Sequence, residues 1–68
     1  MSQMERLYWS DNEIRTGHFP NADTLCRKFE VSRRTAFATR DYLKERCGAP
    51  LAIDKRRGGW KYTEPDWN

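Results

Sequence analysis

At 68 residues the chain has room for one compact domain, whose thin core must draw on nine aromatic residues. Charged residues make up 34% and the net charge is +3, with no apolar run long enough for a signal peptide or a membrane span. Two cysteines, Cys26 and Cys47, are too few for a disulfide framework, and no His or Cys partners stand at zinc spacing.

Met4, Leu7, Tyr8 and Ile14 form a helical stripe from about Gln3 to Arg15, and Gly17 is a natural stop. "HFPN" follows as an extended connection, because Pro20 pushes Phe19 toward β or polyproline geometry. Asn21 caps a short second helix, with Asp23 in its first turn near the positive dipole end. Leu25, Cys26 and Phe29 form its buried side, and Glu30 and Val31 make a tight turn. Ser32 caps a third helix expected to run to about Arg46 and to end at Gly48, with Pro50 preventing continuation. Its inner side is marked by Ala36, Leu43 and Cys47; Arg33, Arg34, Phe37, Ala38, Asp41 and Lys44 point outward. Both cysteines fall on apolar helix positions, which predicts reduced core thiols and a cytoplasmic location. Beyond Pro50 the period changes to two. Leu51 and Ile53, then Trp60 and Tyr62, alternate with their neighbours on either side of "KRRGG", which reads as a β-hairpin.

The expected fold is therefore α+β, mostly α: three helices followed by a hairpin, as in a winged helix-turn-helix spanning residues 1–63. Residues 64–68 read as the start of a linker or tail. Leu25 and Phe29 face Ala36 across the turn, small Cys26 suits the helix crossing, and Val31 plugs the corner. Glu30 takes the turn position usually given to Gly, which strains the corner if φ is positive there.

Charge is unevenly placed. Residues 1–24 hold two basic and four acidic side chains, whereas residues 25–63 hold eleven basic and four acidic, a field that attracts a polyanion. Ser32 and Thr35 close the first turn of the third helix, leaving Arg33 and Arg34 beside the positive end of its dipole with their side chains expected to be unpaired and no acidic partner nearby. That placement opposes the helix and favours an incoming anion. Phe37 and Ala38 continue the outward face, where Phe37 suits a thymine methyl group in a major groove. At the hairpin tip Lys55, Arg56 and Arg57 suit a phosphate backbone or minor groove, with Gly58 and Gly59 permitting a turn of positive φ. The expected duplex-DNA contacts are thus Asn21, Ser32, Arg33, Arg34, Thr35, Phe37, Ala38, Lys55, Arg56 and Arg57.

"FEVSRRTA" followed by "YLKERCGAPLAIDKRRGGWKYTEPDW" resembles the N-terminal winged-helix domain of the WYL-domain transcriptional regulators, akin to DeoR-type repressors. The marks are S-R-R-T at Ser32 to Thr35, "CGAP" at Cys47 to Pro50, and the glycine-aromatic-x-Tyr-Thr run at Gly59 to Thr63. The resemblance covers about Ile14 to Trp67. It implies sequence-specific DNA binding with the third helix as recognition helix, a ligand-sensing domain following in the chain, and a homodimer formed mainly through sequence outside this chain. Where the family usually has Arg-Asp-Ile, this chain has Ala38, Thr39 and Arg40. Arg40 then stands for a core isoleucine, so either it snorkels past Tyr42 or the helix is rotated. The chain stops at "TEPDWN", which suggests a fragment of a longer regulator.

No nucleophile–base pair, metal cluster or phosphate-binding glycine loop is legible, so neither catalysis nor a cofactor is expected. His18 reads as a solvated loop residue. Tyr8 and Trp9 are a candidate dimer face, and Trp67 either folds back on the domain or docks to sequence outside the chain. Two other functions compete with DNA binding: a winged-helix protein-interaction module using the Phe37 surface, and binding of single-stranded or structured RNA.

Overall fold

The computed structural model describes residues 3–64, 66 and 67; residues 65 and 68 of the expected tail lie outside the described residues. Helix α1 spans Gln3–Arg15, α2 Ala22–Phe29 and α3 Arg33–Asp41. A π-helical turn, Tyr42–Arg46, extends α3, and strands β1 (Leu51–Asp54) and β2 (Gly59–Tyr62) close the chain. The fold is α+β, with three helices followed by an antiparallel hairpin in the winged-helix layout. No described helix is long and apolar enough to cross a membrane.

Leu7, Ile14, Leu25, Ala36, Leu43, Ala49 and Trp60 form the centre of the core. Helix α1 contributes a different stripe from the expected one. Leu7, Ser10 and Ile14 are buried, whereas Met4 and Tyr8 are exposed. Trp9 turns inward and meets the Phe29 ring edge-on at 5.5 Å, so only Tyr8 of the expected dimer face lies open.

Asn21 caps α2 as expected and does so reciprocally: its side chain accepts from the Thr24 amide, and the Thr24 hydroxyl accepts from the Asn21 amide. Glu30 then leaves α2 in the left-handed region at φ 54°, where the chain must reverse within two residues to begin α3. Ser32 Oγ accepts from the Thr35 amide at 3.2 Å and starts α3. Among α3 residues the buried pair is Ala36 and Thr39, not an isoleucine-like Arg40. Thr39 satisfies its buried hydroxyl by donating to the Thr35 carbonyl at 3.0 Å.

The π turn corrects the expectation for Cys47. Its amide donates to the Tyr42 carbonyl, five residues back, and Ala49 donates to Leu43. Cys47 is the cap that closes this turn, one residue ahead of the left-handed Gly48 at φ 72°, so the chain leaves the helix there and Cys47 does not enter the core that Ala36 and Leu43 reach. Leu43 remains buried and the Cys47 thiol is exposed, while Cys26 is half-buried.

Phe19 also departs from the expected extended geometry, adopting φ 50° ahead of Pro20. The cause lies in the hairpin. Phe19 and Pro20 lie against β2, where the Trp60 amide donates to the Pro20 carbonyl at 2.8 Å. Gly59 presses so close to the Phe19 main chain that a Cβ there would fall 2.0 Å from the Phe19 oxygen. The left-handed residue steers the chain into this contact, and Pro20 is fully buried beneath it.

Candidate nucleic-acid interface

The hairpin register pairs Ile53 with Trp60 and Asp54 with Gly59, leaving Lys55, Arg56, Arg57 and Gly58 as the connecting turn. Asp54 organises that turn, its carboxylate accepting from the Arg56 and Arg57 amides at 3.0 Å each and its carbonyl from the Gly58 amide at 2.8 Å. Gly58 supplies the positive φ, at 70°; Gly59 lies in the strand and is needed for close approach instead. The tip is anchored as well as basic. Asn21 Nδ2 donates to the Gly58 carbonyl at 3.0 Å, and the Arg57 guanidinium lies 4.6 Å above the Phe19 ring.

That anchoring brings two distant segments together. Asn21, Asp23, Arg33, Phe37, Ile53 and Gly58 line one cleft of about 270 Å³ between the start of α2, the face of α3 and the base of the hairpin. A second depression, bordered by Arg40, Lys44, Ile53 and Lys55, continues the face along α3 and β1. Arg33, Phe37, Arg40 and Lys44 follow one another at helical spacing, so the cationic stripe of α3 faces the basic hairpin.

The expected contact residues fall into distinct groups. Ser32, Arg33, Arg34 and Ala38 are exposed on α3, as are Lys55, Arg56 and Arg57 on the hairpin. Thr35 is half-buried and spends its amide and hydroxyl on Ser32. Asn21 faces the cleft, but its side chain is occupied by the α2 cap and the Gly58 carbonyl. Phe37 is half-buried against the core, not freely outward, with the Arg33 and Arg40 guanidinium groups 5.6 and 4.8 Å from its ring centre.

The two arginines at the α3 start differ. Arg33 forms an ion pair with Asp23 of α2, correcting the expectation that both lack partners. The two residues are ten apart in sequence, but α2 has only two turns, so its first turn lies within an arginine's reach of α3. Arg34 makes no hydrogen bond or ion pair among the described residues. Arg40, expected at a core position, instead lies over Phe37 and donates to Asp41 Oδ1 at 2.9 and 3.1 Å. Its spacing of three from Phe37 and seven from Arg33 was the signal that places it on this face. Ile53, 59% exposed beside these cations, had no comparable signal, because strand alternation pairs it with the buried Trp60.

No protein-family model, curated protein or solved structure matches the chain.

Proposed function

We propose that this chain is a double-stranded DNA-binding module of a transcriptional regulator, with α3 as the recognition helix and the hairpin as a basic wing. The observation that carries the reading is the shared cleft, in which the first turn of α3 and the base of the Lys55–Arg57 tip meet at the start of α2. A helix start rich in cations and a tip of three consecutive basic residues are suited to phosphates on either side of a groove. Exposed Ala38 and unpaired Arg34 leave room for base edges between them. The S-R-R-T, "CGAP" and glycine-aromatic-x-Tyr-Thr stretches support membership in the WYL-type, DeoR-like regulators, and with it a cytoplasmic, non-enzymatic role and a dimer completed by further sequence. The protein-interaction alternative depended on an open Phe37, and loses that support with the ring half-buried beneath two guanidinium groups.

Titration of the chain with duplex DNA and single-stranded RNA over a range of salt tests the proposal. Duplex should bind more tightly, with affinity falling steeply as salt rises. On a site selected from random duplexes, Arg34→Ala should weaken binding by about 1–3 kcal/mol if Arg34 reads a guanine. Replacing Lys55, Arg56 and Arg57 together by Ala should flatten the salt dependence by up to about three units on every sequence. Equal binding to RNA and duplex, or a salt slope unmoved by the triple substitution, counts against it.

A further inference from the structure

Building on the duplex-binding reading, we propose that Asp23 is a specificity-determining residue: its carboxylate masks Arg33 as an internal substitute for a DNA phosphate. Asp23 is not needed as the cap of α2, since Asn21 and Thr24 already satisfy that helix start reciprocally. Its carboxylate instead reaches across to α3 and pairs with Arg33, both side chains remaining largely exposed. Phe37 supports the same guanidinium from beneath at 5.6 Å. The cations of the interface thus divide into two classes. Arg34, Lys55 and Arg56 have no side-chain ion pair among the described residues, whereas Arg33 and Arg40 each have a carboxylate partner.

The division has a consequence for selectivity. On random DNA, Arg33 leaving Asp23 for a phosphate exchanges one exposed ion pair for another, and Asp23 then repels that phosphate. On a matched site, a bidentate contact to a base edge adds a hydrogen-bond geometry that the carboxylate does not offer to any other sequence. Masking therefore suppresses random binding more than matched binding. This is discrimination by opposing the wrong partner.

The test measures wild type, Asp23→Asn, Asp23→Glu, Arg33→Ala and the Asp23→Asn/Arg33→Ala double variant on random duplex and on the tightest site selected from random duplexes. Asp23→Asn should tighten random-duplex binding about three- to fivefold and steepen its salt slope by about 0.9. Its effect on the selected site should be smaller, so the specificity ratio falls. Asp23→Glu should retain wild-type selectivity, and most of the gain should vanish in the Arg33→Ala background, where nothing is left to unmask. Thermal unfolding of each variant identifies any that fails to fold, and Asp23→Ser, which also removes the charge, then takes the place of Asp23→Asn in the comparison. Equal tightening on both duplexes, or the same gain with and without Arg33, overturns the masking role while leaving duplex binding intact. Failure of wild type and every variant to bind duplex overturns the reading beneath it, and the masking role with it.

Discussion

Glu30 shows how a single side chain can be at odds with the turn that it occupies. The corner between α2 and α3 demands a left-handed residue, and Glu30 supplies it at φ 54° and ψ 48°. An L-residue with a Cβ resists that conformation, and the exposed carboxylate makes no hydrogen bond among the described residues that would offset the strain. Glycine removes the steric penalty but increases the freedom of the unfolded chain, so the two effects partly cancel. Glu30→Gly should therefore stabilise the domain by about 0.5–1 kcal/mol. A higher urea midpoint at unchanged slope would bear this out, and a lower midpoint would show that the side chain contributes something the geometry does not reveal. The strained position was legible in the sequence, because the register of Leu25, Phe29 and Ala36 left no other residue for the corner. The Asp23–Arg33 pair was not, since it depends on how far one side chain reaches across a helix crossing that sequence spacing does not measure.

The hairpin's dependence on α1 and α2 emerges at the scale of elements. Adjacent glycines at its tip look interchangeable in sequence, yet they answer different demands. Gly58 has φ 70° with open space around it, whereas Gly59 lies against the Phe19 main chain. Gly58→Ala should cost about 1 kcal/mol, the penalty for a Cβ in a left-handed turn. Gly59→Ala should cost roughly 2–4 kcal/mol, because backbone has to separate from backbone and the Trp60–Pro20 hydrogen bond is lost as it does so. Denaturation of the two variants side by side separates these causes; equal losses would mean that the Phe19 contact yields easily. Periodicity revealed both strands and all three helices, since alternation and the 3.6-residue stripe are local properties. It missed the widened turn at Tyr42–Arg46, and it missed the left-handed Phe19, which is set by the close approach of Gly59 in the hairpin. Periodicity also assigned Cys47 to a core that it does not enter, and Arg40, which the resemblance put in place of a core isoleucine, lies over Phe37 instead.

At the scale of the whole molecule, α1, β2 and the segment at residue 67 meet around one arginine. Arg15 Nε donates to both Asp11 carboxylate oxygens at 2.9 and 3.0 Å, and Nη1 donates to the Trp67 carbonyl at 2.6 Å. Its guanidinium lies 5.4 Å from the Tyr62 ring centre and 5.2 Å from that of Trp67, which fold back against each other at 5.3 Å. Tyr62 completes the joint by donating its hydroxyl to Asp11 Oδ1 at 2.6 Å. Burial first, and then the hydrogen bond to Asp11 and its negative charge, push the Tyr62 phenol above its ordinary range despite the nearby Arg15. The folded chain therefore holds this proton more tightly than the unfolded chain, in which a phenol titrates at about 10. The resulting stability is fully present below about pH 10 and declines as pH rises from there toward the folded-state value. Tyr62→Phe removes both the hydrogen bond and the titration. At neutral pH the variant should be less stable by about 1–2 kcal/mol, with Arg15 still pairing the Asp11 carboxylate. Between about pH 9.5 and 11.5 wild type should lose stability faster than the variant, by at most about 1.4 kcal/mol per pH unit and by less where solvent screens the site. The two proteins differ at this one side chain, so only the difference between the two curves reports Tyr62. Urea denaturation at intervals across this range measures that difference. Convergence of the curves toward high pH is the expected result, and curves that stay parallel would place the Tyr62 proton outside the energetics that join α1 to the hairpin.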